Sequence, residues 1–284
     1  NVNLQENTRV LASSAFASCK FSQIENTELV EYIGGSAFFS CVKLTDASFP
    51  KCIEITEASA FYSCSALKSV YLPLVSKLPA STFGNCSSLG SVYAPNIEAI
   101  YQGAFAGCRS LSAFYGTKCK VIGVGAFAQC SHLKEVNVKN AELLSNNAFF
   151  NCSYLSEIYI PKCKDISQAA FGYCTGLQRA ILSDCLKISS WAFSSAGSLA
   201  SLYLIGSSLC SLAYYAQYGF SNTPLSTYGY GKVYVRESLL ATYKSALYWS
   251  YFSKKFVGMT DEEIETLVRE MEAKYETANS DTAV

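Results

Sequence analysis

The chain has 284 residues, of which 50% are hydrophobic and 15% are charged, and its formal net charge is zero. This composition supplies enough apolar side chains for a continuous core. Because neither Lys and Arg nor Asp and Glu gather into long runs, the charge pattern argues against nucleic acid or an anionic membrane as a partner. No stretch of sequence approaches the roughly 18 consecutive apolar residues of a transmembrane helix. We therefore expect no membrane span.

The chain begins with a polar stretch, Asn1 to Arg9, and not with Met. This stretch lacks the basic and then apolar pattern of a secretory signal. We expect a mature sequence from which a targeting segment has been removed.

A 22-residue repeat follows, in nine copies. Every step between the recurring Phe residues is 22 residues except one of 23, and the column comprises Phe16, Phe38, Phe61, Phe83, Phe105, Phe127, Phe149, Phe171 and Phe193. Three residues after each Phe stands Cys in eight copies and Ala196 in the ninth, and a column of Leu lies three further on. Self-similarity at a fixed period of this length predicts a solenoid.

Each copy combines a strand with an outer turn. In the copy from Ala148, alternate residues Ile158 and Ile160 point toward the core while Glu157 and Tyr159 point away. The apolar residues from Ile166 onward are spaced five, three and three apart, which favours a short helical or 3₁₀ turn. One copy cannot bury its own apolar face, so the copies must stack. Nine strands about 4.8 Å apart form a sheet roughly 40 Å long.

The repeat fails after Leu204, and helical patterns follow. Ser238 to Phe252 is predicted to form an amphipathic helix that covers the last coil, and Thr260 to Glu263 has the S/T-x-x-E form of a capping box that begins another helix. We predict a repeat array over residues 1–206, an irregular last coil and closing strand over 207–235, a helical cap over 236–276 and a frayed tail over 277–284.

The pattern A-F-x-x-C-x-x-L-x-x-V-x-L-P, present from Ala60 to Pro73, resembles the BspA-type (Treponema pallidum-type) leucine-rich repeat over roughly residues 10–256. The resemblance implies an α/β fold: a right-handed leucine-rich-repeat solenoid with a concave parallel β-sheet, short helical or 3₁₀ turns on the convex side, and a C-terminal helical cap. Members are mostly surface or secreted proteins linked to adhesion and host-protein binding. The resemblance implies an extracellular or cell-surface location and transfers no catalytic or ligand-binding residue.

The 13 Cys residues do not indicate a metal site. No C-x-x-C pair occurs, and 12 of the 13 fall into two columns of the repeat, as small buried apolar side chains would. We predict structural free thiols. Disulfides between stacked neighbours are the alternative, although parallel side chains give poor bridging geometry. Cys210 lies outside both columns and is the candidate for an exposed thiol.

Catalytic constellations are absent from the sequence. His132 is the single histidine, and a Cys–His or Ser–His pair would require it. We interpret His132 as an exposed residue without a role, and no pair of carboxylates converges. The prediction is a protein that is not an enzyme and that carries no cofactor and no metal.

A row of Tyr residues is the candidate binding site. The outward position of each predicted strand holds Ser48, Tyr71, Tyr93, Tyr115, Asn137, Tyr159, Ile181 and Tyr203, and Tyr234 continues the row. Tyr is enriched at recognition surfaces because it joins a rigid apolar ring to a hydroxyl. The alternative is cross-strand stabilisation of about 0.2–1 kcal/mol per pair. The candidate ligand-binding residues are Tyr71, Tyr93, Tyr115, Asn137, Tyr159 and Tyr203, and the flanking Glu135, Lys118, Lys139 and Lys162 are candidates for added specificity.

We therefore expect a non-catalytic binding or adhesion module that recognises a protein, such as host extracellular matrix, through its concave face. A carbohydrate- or envelope-binding module is the first alternative, because aromatic rows also stack on sugar rings. A structural spacer for a domain outside this sequence is the other alternative. The oligomeric state is left open.

Overall fold

The computed structural model describes residues 1–213, 216–226 and 228–280. Short strands dominate this part of the chain, and they are β1 (Val2–Asn3), β2 (Val10–Leu11), β3 (Ile24–Glu25), β4 (Tyr32–Ile33), β5 (Asp46–Ser48), β6 (Glu54–Ile55), β7 (Ser69–Tyr71), β8 (Lys77–Leu78), β9 (Ser91–Tyr93), β10 (Ala99–Ile100), β11 (Ala113–Tyr115), β12 (Val121–Ile122), β13 (Glu135–Asn137), β14 (Leu143–Leu144), β15 (Glu157–Tyr159), β16 (Asp165–Ile166), β17 (Arg179–Leu182), β18 (Lys187–Ile188), β19 (Ser201–Leu204), β20 (Ser211–Leu212), β21 (Lys232–Arg236) and β22 (Phe256–Met259).

These strands form two parallel rows, as a solenoid requires. The odd-numbered strands and β22 form the row that we call the concave sheet, in which the strand pairing is interrupted after β3, β9 and β13, and the even-numbered strands form a second row. Partners in the concave sheet are offset by one repeat, so that Val70 lies between Ala47 and Val92. Twelve coils are stacked in the described residues. The solenoid is therefore longer than its nine sequence copies, because the first coil and the last two lack the regular 22-residue spacing of the Phe and Cys columns.

The convex side consists of tight turns with the predicted 3₁₀-type bonds. Within a coil, the Cys64 amide donates to the Phe61 carbonyl at 3.2 Å, while the Phe61 amide donates to the Thr82 carbonyl of the next coil at 2.8 Å. Two residues per coil, here Ser59 and Ser63, have φ near +60°. These left-handed residues turn every second amide toward the neighbouring coil, so the segment does not continue as a helix.

A stack of Phe rings runs through the core. The rings of Phe127 and Phe149 are 5.1 Å apart and 3° from parallel, and those of Phe149 and Phe171 are 5.4 Å apart. The stack continues from Phe193 to Phe220 at 5.8 Å. Phe220 therefore occupies the next position of the column although the sequence spacing has lengthened from 22 to 27 residues.

Buried thiols act as hydrogen-bond donors between coils. Cys64 Sγ donates to the Phe38 carbonyl at 3.0 Å, and Cys108 Sγ donates to the Phe83 carbonyl at 3.1 Å. The same bond recurs at Cys41, Cys86, Cys130, Cys152 and Cys174. All 13 cysteines are free. The prediction of structural free thiols is confirmed, and the repeated bond explains why this column favours Cys over a simple aliphatic residue.

Cys210 was expected to be the exposed thiol, and that expectation is wrong. Its side chain is buried, with Sγ 3.2 Å from Cys185 Sγ. The Cys210 amide donates a hydrogen bond to the Tyr243 hydroxyl oxygen at 2.8 Å, and Trp249 Nε1 donates to the Cys210 carbonyl at 2.6 Å. The segment after β21 therefore folds over the last coil and covers this cysteine.

That covering segment is not the single helix predicted over Ser238 to Phe252. It comprises the 3₁₀ segment Glu237–Leu239, helix α1 (Leu240–Ser245) and the 3₁₀ segment Trp249–Lys255, and a further 3₁₀ turn, Ala216–Phe220, precedes β21. The helix ends at Ser245 because Ala246 is extended, and Tyr248, with φ +66°, precedes the second 3₁₀ segment. Tyr243 and Trp249 cover the last coil as expected, but Leu247 is 75% exposed.

The final helix, α2 (Asp261–Ser280), begins at the predicted capping box. The Thr260 amide donates to Glu263 Oε2 at 2.7 Å, and the Glu263 amide donates to Thr260 Oγ1 at 3.2 Å. The helix then lies across the concave sheet and not over the end of the solenoid, which corrects the role expected for it as a cap. Residues 277–280 of the predicted tail continue α2, and residues 281–284 lie outside the described residues.

Candidate functional site

The outward row of the concave sheet divides into an open part and a covered part. The open part, which we call the Tyr face, consists of Ser48, Tyr71, Tyr93 and Tyr115 at the ends of β5, β7, β9 and β11. The period-2 alternation of each strand places these side chains outward while Ala47 and its equivalents enter the core. In the described residues, no segment of the chain packs over Tyr71, which is 42% exposed.

The Tyr face is held rigid by contacts between neighbouring coils. The rings of Tyr71 and Tyr93 stack with centroids 5.1 Å apart and planes 8° from parallel. The Tyr115 hydroxyl donates to Glu135 Oε2 at 2.6 Å. These side chains are therefore ordered before any ligand arrives, which lowers the conformational entropy that binding would cost.

The covered part of the row lies beneath α2. Four apolar residues of the helix, Ile264, Leu267, Met271 and Tyr275, are buried with Tyr159, Ile181 and Ile205 in a cluster separate from the Phe core. These helical residues follow one another at intervals of three, four and four, so they share one face. Of the predicted ligand-binding residues, Tyr159 therefore contacts the chain's own helix, and Tyr203 packs against the same cluster.

Asn137, another predicted binding residue, lies at the edge of the contact between α2 and the sheet. Its side chain is 1% exposed, and Asn137 Nδ2 donates to the Tyr275 carbonyl at 2.6 Å. Asn137 therefore binds a backbone carbonyl of α2 and ties the helix to the sheet.

Charged and polar contacts border the apolar cluster. Tyr159 donates its hydroxyl proton to Glu272 Oε1 at 2.9 Å, and Lys139 Nζ forms ion pairs with Glu272 and, at 3.8 Å, with Glu276. On the other side, Glu157 accepts from Arg179 and from Lys274 Nζ, the latter at 2.7 Å.

These contacts shift the pKa values of both Tyr159 and Glu272. Burial raises the pKa of the Tyr159 hydroxyl, and the neighbouring Glu272 carboxylate raises it further. Burial acts to raise the pKa of Glu272 as well, but hydrogen bonds from Lys139 and Tyr159 outweigh it and hold that pKa below its usual value. Tyr159 is therefore the neutral donor and Glu272 the ionised acceptor.

A pocket of about 80 Å³ lies where the two parts of the row meet. Its lining includes Tyr115, Glu135, Asn137, Lys274 and Tyr275. The Tyr face and the exposed edge of α2 are thus continuous through a small polar recess.

The structure separates the six predicted binding residues into two groups. Tyr71, Tyr93 and Tyr115 share the open Tyr face, whereas Asn137, Tyr159 and Tyr203 lie under or beside α2. The flanking Lys139 also pairs with the helix, and Lys118 donates to Asn96 Oδ1 at 2.6 Å. Sequence reasoning missed that α2 occupies the row. The spacing of the apolar residues in α2 indicated that one face of this helix would be buried, but nothing local in the sequence identified the surface against which it packs.

We find no candidate metal or catalytic site in the part of the chain that the structure describes. No group of three or more His, Cys, Asp or Glu side chains within residues 1–213, 216–226 and 228–280 is placed to hold a metal ion. His132 is exposed, as interpreted, and its ring stacks on Tyr154 with centroids 5.3 Å apart. None of the helices in the described residues has the length and apolar character needed to span a bilayer.

Comparison with known proteins gives one family match. The BspA type leucine-rich repeat region matches residues 1–112 and 99–227, in six copies. A search of curated proteins found no match.

Several solved structures are similar over most of the chain. A leucine-rich cell surface protein from Faecalibacterium prausnitzii is 19% identical, covers 82% of this chain and 78% of its own, and has a TM-score of 0.47. A leucine-rich repeat protein from Treponema pallidum is 21% identical, covers 63% of this chain and 75% of its own, and has a TM-score of 0.43. A leucine-rich repeat protein from Bacteroides ovatus is 18% identical, with 90% and 83% coverage and a TM-score of 0.42.

Proposed function

Because the chain belongs to the BspA-type leucine-rich repeat family, we propose that it is a non-catalytic module that binds a protein partner through the Tyr face. The family suggests a protein-interaction scaffold, and the open Tyr face is the surface we assign to that role. The observation that carries the assignment is the stacked pair of exposed Tyr71 and half-buried Tyr93, held in place at the open end of the concave sheet.

The covered half of the same row supports a protein as the ligand. There, Tyr159 uses its ring against Tyr275 and its hydroxyl on Glu272, so a Tyr of this row makes both an apolar and a polar contact with polypeptide. Tyr71 and Tyr93 stand at the equivalent positions of their strands, where each also carries an aromatic ring and a hydroxyl. A partner that offers apolar side chains with adjacent acceptors would match them.

Ring orientation favours a protein over a carbohydrate. Tyr71 and Tyr93 direct their ring faces at each other, with planes 8° from parallel. Sugar rings stack on aromatic faces, but here the inner faces are already occupied by the neighbouring ring. The inner ring faces are therefore closed to a sugar, while the ring edges and hydroxyls suit side chains and backbone carbonyls.

The proposal includes a location outside the cell. It is supported by the family and by the cell surface protein named among the similar structures. Adhesion to host extracellular-matrix protein is the form of binding that we propose to test first.

The test is binding of the purified chain to immobilised extracellular-matrix proteins, with glycans on the same array. A Tyr71→Ala/Tyr93→Ala variant should lose affinity by about tenfold or more, because truncation of buried aromatic contacts commonly costs above 1 kcal/mol. Its matched control is Tyr154→Ala/Tyr173→Ala, which removes two exposed Tyr side chains from the convex side. Equal binding by both variants, or binding to glycans alone, would refute the assignment.

A further inference from the structure

We propose that the covered part of the concave sheet, strands β13 to β19, is a binding surface for an acidic amphipathic helix of a partner protein. In the unbound chain, α2 occupies this surface as an intramolecular ligand and is exchanged for the partner's helix. This proposal concerns different residues from the Tyr face and does not depend on the proposed function.

The helix is separable from the solenoid because the two have separate cores. The Phe stack, the Cys columns and the inward strand residues form one continuous cluster, to which none of the buried residues of α2 belongs. The apolar face of α2 packs with Tyr159, Ile181 and Ile205 in a second cluster. Release of α2 would therefore uncover a sheet face without opening the solenoid core.

Two of the ion pairs that anchor α2 involve exposed helix side chains, whereas the hydrogen bonds from Tyr159 and Asn137 to the helix are buried. Glu276 and Lys274, which pair with Lys139 and Glu157, have side chains 71% and 51% exposed. Ion pairs that are this exposed contribute little, because water and salt screen them. Local opening of such a segment requires less free energy than global unfolding.

The chemistry of the occupant follows from α2 itself. From Asp261 to Glu276 the helix has seven acidic and two basic residues. Lys139 faces the acidic side of the helix, and the apolar stripe of Ile264, Leu267 and Met271 meets the sheet. The surface therefore selects a helix with apolar residues at intervals of three and four and a carboxylate positioned for Lys139.

A helix from another protein fits this site better than exchange with a second copy. The α2 helix of a second copy would make the same contacts as the resident helix, so it would bring no differential free energy to the exchange. The resident helix also has the advantage of a high effective concentration. Only an occupant that makes stronger contacts would displace it, which points to a different sequence.

The first experiment uses the full chain with α2 released by Leu267→Asp/Met271→Asp. A fluorescent peptide of residues 260–280 serves as the probe. It should bind this variant about tenfold or more tighter than the unmodified chain, in which the site is filled. The control variant Thr266→Asp/Ala273→Asp adds the same charges to exposed positions of α2 and should behave like the unmodified chain.

Charge exchange tests whether the peptide occupies the inferred site. A Glu272→Lys peptide should bind the released variant about tenfold more weakly, and adding Lys139→Glu to that variant should restore binding. Absence of peptide binding by a folded variant would overturn the proposal. Equal binding by the released and unmodified chains, or dimers formed through α2 without peptide, would also overturn it.

Hydrogen exchange of the unmodified chain keeps the proposal testable if the variant does not fold. The amides of α2 should exchange faster than those of β15 and β17, through local opening. Exchange of α2 only at the rate of the solenoid strands would show that the helix cannot leave, and would overturn the proposal. Neither experiment involves Tyr71 or Tyr93, so failure here is distinguishable from failure of the proposed function.

Discussion

Two positions in the convex turn of each of the nine sequence repeats hold the backbone in the left-handed region. They lie two residues before and two residues after the column Phe, as Ser36 and Ser40 flank Phe38. Most are Ser, Asn or Gly, which tolerate this conformation. Ala169, with φ +50°, is one of the exceptions. Left-handed backbone costs an Ala roughly 1–2 kcal/mol, which a Gly would not incur.

Ala169→Gly should therefore stabilise the protein. Part of the gain is offset because Gly increases the entropy of the unfolded chain, so we expect a net increase of about 0.5–1 kcal/mol in the free energy of unfolding. Denaturant titration measures this change. The neighbouring Ala170→Gly, at a buried position without positive φ, should instead lower the free energy of unfolding. A loss of stability in both variants would contradict the strain argument.

The buried thiols predict a loss of stability in alkali. Burial raises the pKa of Cys52, Cys119 and Cys163 from 9.0 to about 12. In the unfolded chain these thiols ionise near pH 9, whereas in the folded chain they stay neutral. The folded state therefore keeps its full stability relative to the unfolded state below pH 9 and loses it as the pH rises toward 12. Each thiol should reduce the free energy of unfolding by about 1.4 kcal/mol per pH unit within that window.

Urea titrations at pH 8 and pH 10.5 measure this effect. The matched variant replaces all three residues by Val, which already occupies the same column at Val75. It should lose clearly less stability between the two pH values than the native chain, although the other buried thiols still contribute. An identical loss would show that these three thiols do not ionise on unfolding.

Helix α2 depends on polar contacts as well as on its apolar stripe. The Tyr159 hydroxyl donates to Glu272 at 2.9 Å. Tyr159→Phe removes that donor while keeping the ring against Tyr275, and a hydrogen bond to a charged group contributes about 1.5–3 kcal/mol. We expect faster hydrogen exchange in α2 and an unchanged solenoid. Tyr71→Phe, outside the contact, should leave α2 protection as it was; equal effects of the two substitutions would contradict this assignment.

The start of α2 was predictable from sequence, whereas its place was not. The capping box of Thr260 and Glu263 is a local pattern, and local patterns determine where a helix begins. The surface beneath α2 depends on pairings such as that of Asn137 with Tyr275, across 138 residues. The repeat period of the sequence carries no information about a contact between residues so far apart in the chain. Similarly, the prediction of one helix over Ser238 to Phe252 was wrong because an apolar pattern does not reveal the break between Ser245 and Trp249.

The architecture of the whole molecule was the most predictable level. Each coil contacts chiefly its neighbours, so a column repeated in sequence becomes a stack in space. An irregular last coil with a closing strand was predicted, but the place of Phe220 in the Phe stack was not, because it follows Phe193 after an interval of 27 residues. The Tyr row was identified correctly as an outward row, but its division into open and covered halves required the position of α2.

The most direct test of the account is tyrosine footprinting, in which exposed tyrosines are nitrated and located by mass spectrometry. In the free chain, exposed Tyr71, Tyr154 and Tyr173 should react, whereas Tyr159, 1% exposed and with a raised pKa, should not. With a protein ligand from the binding array, the account predicts protection of Tyr71 and unchanged reaction of Tyr154 and Tyr173. Protection of Tyr154 and Tyr173 with Tyr71 still reactive would place the binding surface on the convex side and contradict the account.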